Sequence, residues 1–139
     1  MLRLIQGFAI FATLIAATPA RAGDLIVEIK GAASTRGSVL VALFATPAVF
    51  PDKPTTGVMV PAKAVPVLAI FRNLAPGVYA VSAFHDANGN GKLDKNLLGI
   101  PTEKYGFGHD AMGTMGPPTF QAASITMGPV NQTIVINLH

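Results

Sequence analysis

From Gly23 onward, apolar residues recur at every second position along most of the chain. In the first such segment Leu25, Val27 and Ile29 share one face, and Glu28 and Lys30 stand on the other. A period of two is typical of β-strands that bury one face, and no segment here shows the 3.6-residue period of a helix. The pattern predicts six strands, at residues 25–30, 39–44, 67–71, 78–84, 122–127 and 133–138.

Turn signals separate these segments. Asn73–Gly77 carries a Pro-Gly pair that suits a tight turn, and residues 51–66 hold four prolines, which predicts a loop with one short edge strand. Short strands with turns between them predict an all-β fold, an antiparallel β-sandwich of about seven strands. We expect the first two strands to be antiparallel neighbours and the last two to form a hairpin across residues 128–131.

The N-terminal segment has the pattern of an export signal. Arg3 precedes an apolar run over residues 4–17, and an Ala-x-Ala motif ends at Ala22. The run is short for a bilayer span, so an uncleaved anchor is the alternative. Cleavage after Ala22 leaves a single domain, residues 23–139, in the periplasm or outside the cell, with no transmembrane segment.

Composition narrows the classes of function. The chain carries a formal charge of +3, but cleavage removes Arg3 and Arg21 and leaves eight Lys/Arg against seven Asp/Glu, a charge of +1. No basic cluster suited to a phosphate backbone remains, which argues against nucleic-acid binding. The absence of cysteine excludes disulfides and thiol catalysis.

The most informative motif follows the fourth predicted strand. Side-chain oxygens occupy the first, third, fifth and ninth positions of a loop, and a backbone carbonyl is available at the seventh: Asp86, Asn88, Asn90, Asp94 and Lys92. Gly91 at the sixth position permits a sharp bend, as in calcium-binding loops. Leu97 stands where such loops carry a bidentate Glu. The spacing therefore predicts at most a weak Ca²⁺ site.

The same loop has a metal-free interpretation. Asn88-Gly89 and Asn90-Gly91 can form successive tight turns, with Asp and Asn side chains bonded to nearby backbone N–H groups. In the calcium interpretation, Glu103 or Asp110, from later in the chain, would complete the shell of oxygens around the ion. The residues alone leave both interpretations open.

Several segments together carry a family resemblance. Residues 73–81, 84–94 and 98–107, with the run 39–44 and the Pro-Pro-Thr-Phe of 117–120, resemble the exported bacterial family catalogued as domain of unknown function 2141. More distantly, the order of strand, Pro-Gly turn, strand and Asp-rich loop is similar to transthyretin-like and carboxypeptidase regulatory-like sandwiches, and to calcium-binding B-type repeats of bacterial adhesins. The resemblance implies an exported sandwich, prealbumin- or immunoglobulin-like, that serves as a binding or structural module. We expect the module to be non-catalytic and to bind a cell-envelope protein, polymer or small ligand.

An enzymatic alternative uses two His-Asp pairs. His85-Asp86 and His109-Asp110, with Asp94 and Glu103, could form the site of a small divalent-metal-dependent hydrolase. Neighbouring residues on a strand face opposite ways, so His85 and Asp86 share an ion only where the strand ends. The simpler expectation is that His85 packs at the end of the sandwich against a loop carbonyl and that His109 is exposed.

A long connection, residues 99–120, contains aromatic residues and methionines among many Gly and Pro. Long irregular loops are usually functional or disordered. Tyr105, Phe107, Met112, Met115 and Phe120 could cover the end of the sandwich, or they could form an apolar binding surface. Residues 105–108 are a candidate edge strand beside the Asp-rich loop.

Overall fold

Eight strands form most of the regular structure in the computed structural model, which describes residues 21–139. They are β1 Gly23–Lys30, β2 Ser38–Phe44, β3 Thr56–Pro61, β4 Val67–Leu74, β5 Gly77–Asp86, β6 Tyr105–Phe107, β7 Ser124–Met127 and β8 Gln132–Asn137. Two single-turn 3-10 helices follow β2 and β6, at Pro47–Val49 and Gly108–Asp110. Within residues 21–139 no helix has the length and apolarity to cross a membrane. The export signal predicted for residues 1–22 falls almost wholly outside the described residues and stays a prediction.

The strands form two sheets. One has the order β4-β1-β8, and the other has the order β3-β2-β5-β6, with β7 beside the first half of β5. All pairings are antiparallel except that of β1 with β8, which is parallel. The predicted all-β sandwich is confirmed. The short edge strand expected within residues 51–66 is β3, and the edge strand expected at residues 105–108 is β6.

Two predicted pairings are wrong. β1 and β2 lie in different sheets, and so do β7 and β8. The apolar faces of β1 and β2 contribute to one interior, where Val27 and Val41 are both buried. Alternation specifies which face of a strand is buried, but it does not specify whether the next strand extends the same sheet or crosses to the opposite one. Here the loops cross between the sheets, which lie about 10 Å apart in sandwiches.

The interior has two parts. The larger lies between the sheets and is built from alternating residues such as Leu25, Val41 and Ile136. The smaller contains Phe44 and Phe107, and the ring of Phe50 makes edge-to-face contacts with both of them and with Phe120. Tyr105, Phe107 and Phe120 of the long connection therefore cover the outer face of the second sheet, opposite the main interior, and not the end of the sandwich that the sequence suggested. The methionines of the same connection, Met112 and Met115, are exposed instead.

Three loops meet at one end of the sandwich, here called the loop end. Ser38 pairs with Pro61 on one side and with Asp86 on the other, so β2 begins where β3 and β5 finish. The loop end therefore comprises residues 31–37, 62–66 and 87–104. The Ala62 N–H donates to the carbonyl of Gly37 at 3.1 Å and joins the first two loops.

Candidate functional site

The last two residues of β5 are polar and almost fully buried. His85 and Asp86 each retain 1% exposure and are the buried polar or charged residues within residues 21–139. Burying such groups is costly unless they are hydrogen-bonded. Every buried side-chain polar atom of the described chain has a hydrogen-bond partner. The loop end is thus organised around these two side chains.

His85 joins the loop of residues 31–37 to β5. Its Nδ1 accepts a hydrogen bond from the Ala33 N–H at 3.1 Å, and its Nε2 donates to the Arg36 carbonyl at 2.7 Å. A nitrogen that accepts from an N–H is unprotonated, which assigns the hydrogen to Nε2. Both ring nitrogens are therefore hydrogen-bonded to backbone groups. The expectation that His85 packs against a loop carbonyl is confirmed.

The Asp86 carboxylate anchors the turn of the loop. Its Oδ1 accepts from the Gly89 N–H at 2.8 Å and the Asn90 N–H at 3.1 Å, and its Oδ2 accepts from the Gly91 N–H at 2.7 Å. Gly89 and Gly91 both have φ near +74°, a conformation that glycine adopts readily and other residues rarely do. The positive φ values turn successive N–H groups toward one carboxylate.

A second carboxylate is held on the same loop. Asn88 Nδ2 donates to Asp94 Oδ2 at 2.5 Å, and Asn90 Nδ2 donates to Asp94 Oδ1 at 2.7 Å. The amide oxygens are also used, because Asn88 Oδ1 accepts from the Asn90 N–H and Asn90 Oδ1 accepts from the Lys92 N–H. The structure therefore gathers the predicted residues Asp86, Asn88, Asn90 and Asp94 in one hydrogen-bonded loop. Lys92 is exposed and belongs to the loop through its backbone.

Glu103 stabilises both ends of this loop. Its Oε1 accepts from the Ala87 N–H at 3.1 Å and its Oε2 accepts from the Asp94 N–H at 3.0 Å. The sequence suggested Glu103 as a late addition to the oxygen shell, and the structure shows it bound to the backbone. It reaches the loop because the His85 N–H donates to the carbonyl of Lys104.

Asp110, the other residue proposed to complete the shell, does not lie at this loop. It accepts from the Asn137 N–H at 3.0 Å and from the Asn137 side chain at 2.7 Å. These two hydrogen bonds, the backbone one first, lower the pKa of the Asp110 carboxyl below its ordinary value. That expectation is wrong because the 3-10 helix after β6 brings Asp110 to β8.

The donor set can be tested against the needs of Ca²⁺. A carboxylate has about four acceptor positions. Asp86 uses three of them on N–H groups, while Asp94 uses two on amide nitrogens that could rotate away. Two carboxylates, two amide oxygens and a nearby carbonyl suit a hard cation. They fit Ca²⁺, but the ion has to displace hydrogen bonds that the loop already makes.

The two His-Asp pairs do not form one centre. His109 Nε2 bonds to the carbonyl of Ser124, which pairs with Ala80 on β5. Ala80 precedes His85 by five residues on that strand, roughly 17 Å at the rise of an antiparallel strand. Within residues 21–139 no group of three or more His, Cys, Asp or Glu is placed to hold a metal ion. The hydrolase alternative is therefore not favoured.

Beyond Asp94 the chain forms a short hairpin that the sequence did not predict. Lys95 and Pro101 form a β-bridge, and the Thr102 N–H donates to the Asp94 carbonyl at 2.8 Å. Asn96 Oδ1 accepts from the N–H groups of Leu98 and Ile100, at 2.9 and 3.0 Å. An Asn followed three residues later by Gly, which here has φ +77°, was the available signal.

Fold and site together define a two-sheet β-sandwich domain with a hydrogen-bonded Asp/Asn-rich loop at one end. Residues 27–135 match the family described as an uncharacterized protein conserved in bacteria, domain of unknown function 2141. The chain belongs to this family, as the resemblance of its motifs indicated. No curated protein and no solved structure matches the chain.

Proposed function

We propose that this protein is an exported, non-catalytic binding module whose Asp86–Asp94 loop takes up Ca²⁺ weakly. One observation carries the proposal. In a loop with calcium-type spacing after β5, the Asn88 and Asn90 side chains bond the Asp94 carboxylate, and backbone N–H groups converge on the Asp86 carboxylate, which is 1% exposed. Export is supported by the N-terminal sequence pattern.

The calcium ion would bind on the Asp94 side of the loop. Asp94 supplies the more available carboxylate, while Asn88 and Asn90 would turn their oxygens inward after releasing it. When bound, Ca²⁺ supplies a positive charge that offsets the two Asp carboxylates and links the residues of the loop. We expect weak binding, because the loop offers few charged ligands and its internal hydrogen bonds compete with the ion. The dissociation constant should be that of extracellular calcium-binding modules, on the order of 10⁻⁴–10⁻³ M.

The non-catalytic part of the proposal rests on the side chains that an enzyme would need. The buried imidazole of His85 uses both nitrogens on backbone groups, so neither is free to transfer a proton or bind a metal. Glu103 bonds the N–H groups of Ala87 and Asp94 and has a positioning role. These hydrogen bonds favour binding over catalysis at the loop end.

Calorimetric titration of residues 23–139, which contain all eight strands, tests the calcium part directly. A second measurement, thermal unfolding with and without calcium, gives the effect of binding on stability. With a dissociation constant on the order of 10⁻³ M, 10 mM Ca²⁺ should raise the free energy of unfolding by about 1.4 kcal/mol. The variant Asp94→Asn should lose this stabilisation, and Asp52→Asn, a matched change on an exposed turn, should retain it. Mg²⁺ at equal ionic strength controls for screening.

Two results would contradict the proposal. Unfolding curves of the unmodified chain that coincide in CaCl₂ and in chelator would remove the calcium site. Hydrolysis that is lost on chelation and restored by Zn²⁺ or Mn²⁺ would replace the binding module with a metal-dependent enzyme.

A further inference from the structure

The hairpin beside the Asp-rich loop presents three aliphatic side chains to solvent. Leu97, Leu98 and Ile100 are exposed by 105%, 83% and 56%. We call these three residues the apolar tip. Large aliphatic side chains usually lose exposure on folding because burial is favourable. Three of them within four positions form a patch of the kind that marks an interaction site.

The apolar tip belongs to a well-defined hairpin. The Asn96 side chain holds two of its N–H groups, and the Asn96 N–H donates to the Ile100 carbonyl at 2.9 Å. The Lys95–Pro101 bridge closes its base. Because these hydrogen bonds fix the backbone, the three side chains stay exposed to solvent and do not pack on the hairpin itself.

Cations gather at the same end of the molecule. Five of the exposed Lys and Arg side chains lie in the three loops of the loop end, namely Arg36, Lys63, Lys92, Lys95 and Lys104. The acids of these loops and of the adjoining strand end are engaged in hydrogen bonds: Asp86 and Glu103 with the backbone, and Asp94 with two Asn side chains. None of the five cations forms an ion pair among the described residues. These hydrogen bonds leave the charge of the three carboxylates in place, so the loop end carries five cations against three acids, a net charge of +2.

We propose that the loop end docks on a bilayer that contains anionic phospholipid, with the apolar tip inserted among the headgroups. A projecting aliphatic tip beside several lysines fits an interface that is apolar inside and negatively charged at its surface. A tip of this shape needs no complementary pocket, which a protein partner would have to supply. The inference names the partner of the binding module and rests on that proposed function, but it does not require the calcium ion.

Vesicle sedimentation in chelator tests this inference separately from the calcium titration. Residues 23–139 are mixed with vesicles of phosphatidylcholine alone, or with phosphatidylglycerol added. We expect binding to the mixed vesicles that weakens with salt, because exposed charges are screened. The neutral vesicles should bind at least tenfold less.

Substitutions separate the apolar and the charged contributions. The triple variant Leu97→Ser, Leu98→Ser, Ile100→Ser should bind the mixed vesicles at least tenfold less. Neutralising Lys95 and Lys104 to Gln should weaken binding about fivefold for each charge. A matched control is the double variant Met112→Ser, Met115→Ser, which removes exposed apolar side chains outside the loop end and should bind as the unmodified chain does.

Three outcomes would overturn the inference. The first is that the unmodified chain stays in the supernatant when mixed vesicles are sedimented. The second is that the apolar-tip variant sediments to the same extent as the unmodified chain. In the third, analytical ultracentrifugation shows a dimer that the apolar-tip variant abolishes, which would assign the tip to a second copy of the chain. Because the tip is exposed, its variants should keep the unmodified unfolding curve, so a loss of binding is not a loss of fold.

Discussion

The Asp86 carboxylate offers the most direct test of how the loop is organised. Asp86→Ala removes the acceptor of three backbone hydrogen bonds, from Gly89, Asn90 and Gly91. Hydrogen bonds to a charged group contribute roughly 1.5–3 kcal/mol each. The loop amides are exposed enough to regain water, so the lower figure applies and the three bonds together give an expected loss in the free energy of unfolding of about 4.5 kcal/mol.

Asp52→Ala is the matched control. It deletes the same carboxylate from an exposed turn after the first 3-10 helix, where surface substitutions usually change stability by less than about 0.5 kcal/mol. For a domain of this size each kcal/mol corresponds to roughly 3–5 °C in Tm, so Asp86→Ala should melt about 15 °C lower than the control. Asp86→Asn keeps one acceptor oxygen and should fall between the two.

Urea unfolding followed by circular dichroism, with chelator present, measures these differences without a contribution from calcium. Equal midpoints for Asp86→Ala and Asp52→Ala, both in chelator and in calcium, would refute the idea that Asp86 organises the loop. A large loss for Asp86→Ala together with an unchanged Asp86→Asn would assign the effect to packing and not to the second carboxylate oxygen.

Three further predictions concern the supports of the loop end and of β8. Gly37→Ala should destabilise the fold several times more than Gly89→Ala, which should cost approximately 1 kcal/mol in thermal melts. Both glycines have positive φ, but a Cβ on Gly37 would lie 2.0 Å from the backbone oxygen of Asp86, whereas a Cβ on Gly89 would lie in open space. His85→Ala should cost about 2–4 kcal/mol in chemical denaturation, because it leaves a cavity and two unpaired backbone groups; a loss below 0.5 kcal/mol would contradict that role. The folded pKa of Asp110 is lowered by Asn137, so its contribution is complete above its ordinary value of 3.8 and is lost as pH falls through the folded pKa; the stability difference from Asp110→Asn should shrink in acid, and a constant difference from pH 6 to pH 2 would refute this.

The strands themselves could be predicted from the sequence because their information is local. Alternation of apolar residues in β1, β2 and β5 follows from one buried face, and each segment was found near its predicted position. The gathering of Asp86, Asn88, Asn90 and Asp94 in one loop could also be predicted, since these residues lie within nine positions of the chain. Glycines at the bends make that local arrangement accessible.

Strand pairing depended on the tertiary structure. The alternation is the same whether β1 pairs with β2 or faces it across the core, and only the packing of both sheets selects the second arrangement. The correction of Asp110 has the same cause, since its position beside Asn137 depends on the parallel placement of β8 next to β1.

At the site, the sequence by itself determined the loop's residues, their spacing and the turns that allow them to converge. The tertiary structure decided that Glu103 holds the backbone of the loop, that the His85 ring joins a distant loop, and that cations from three separate loops lie at the same end of the sandwich as the apolar tip. The physical reason is distance along the chain. Hydrogen bonds within a few residues follow from local geometry, whereas contacts across many residues exist only once both sheets have packed around a common core.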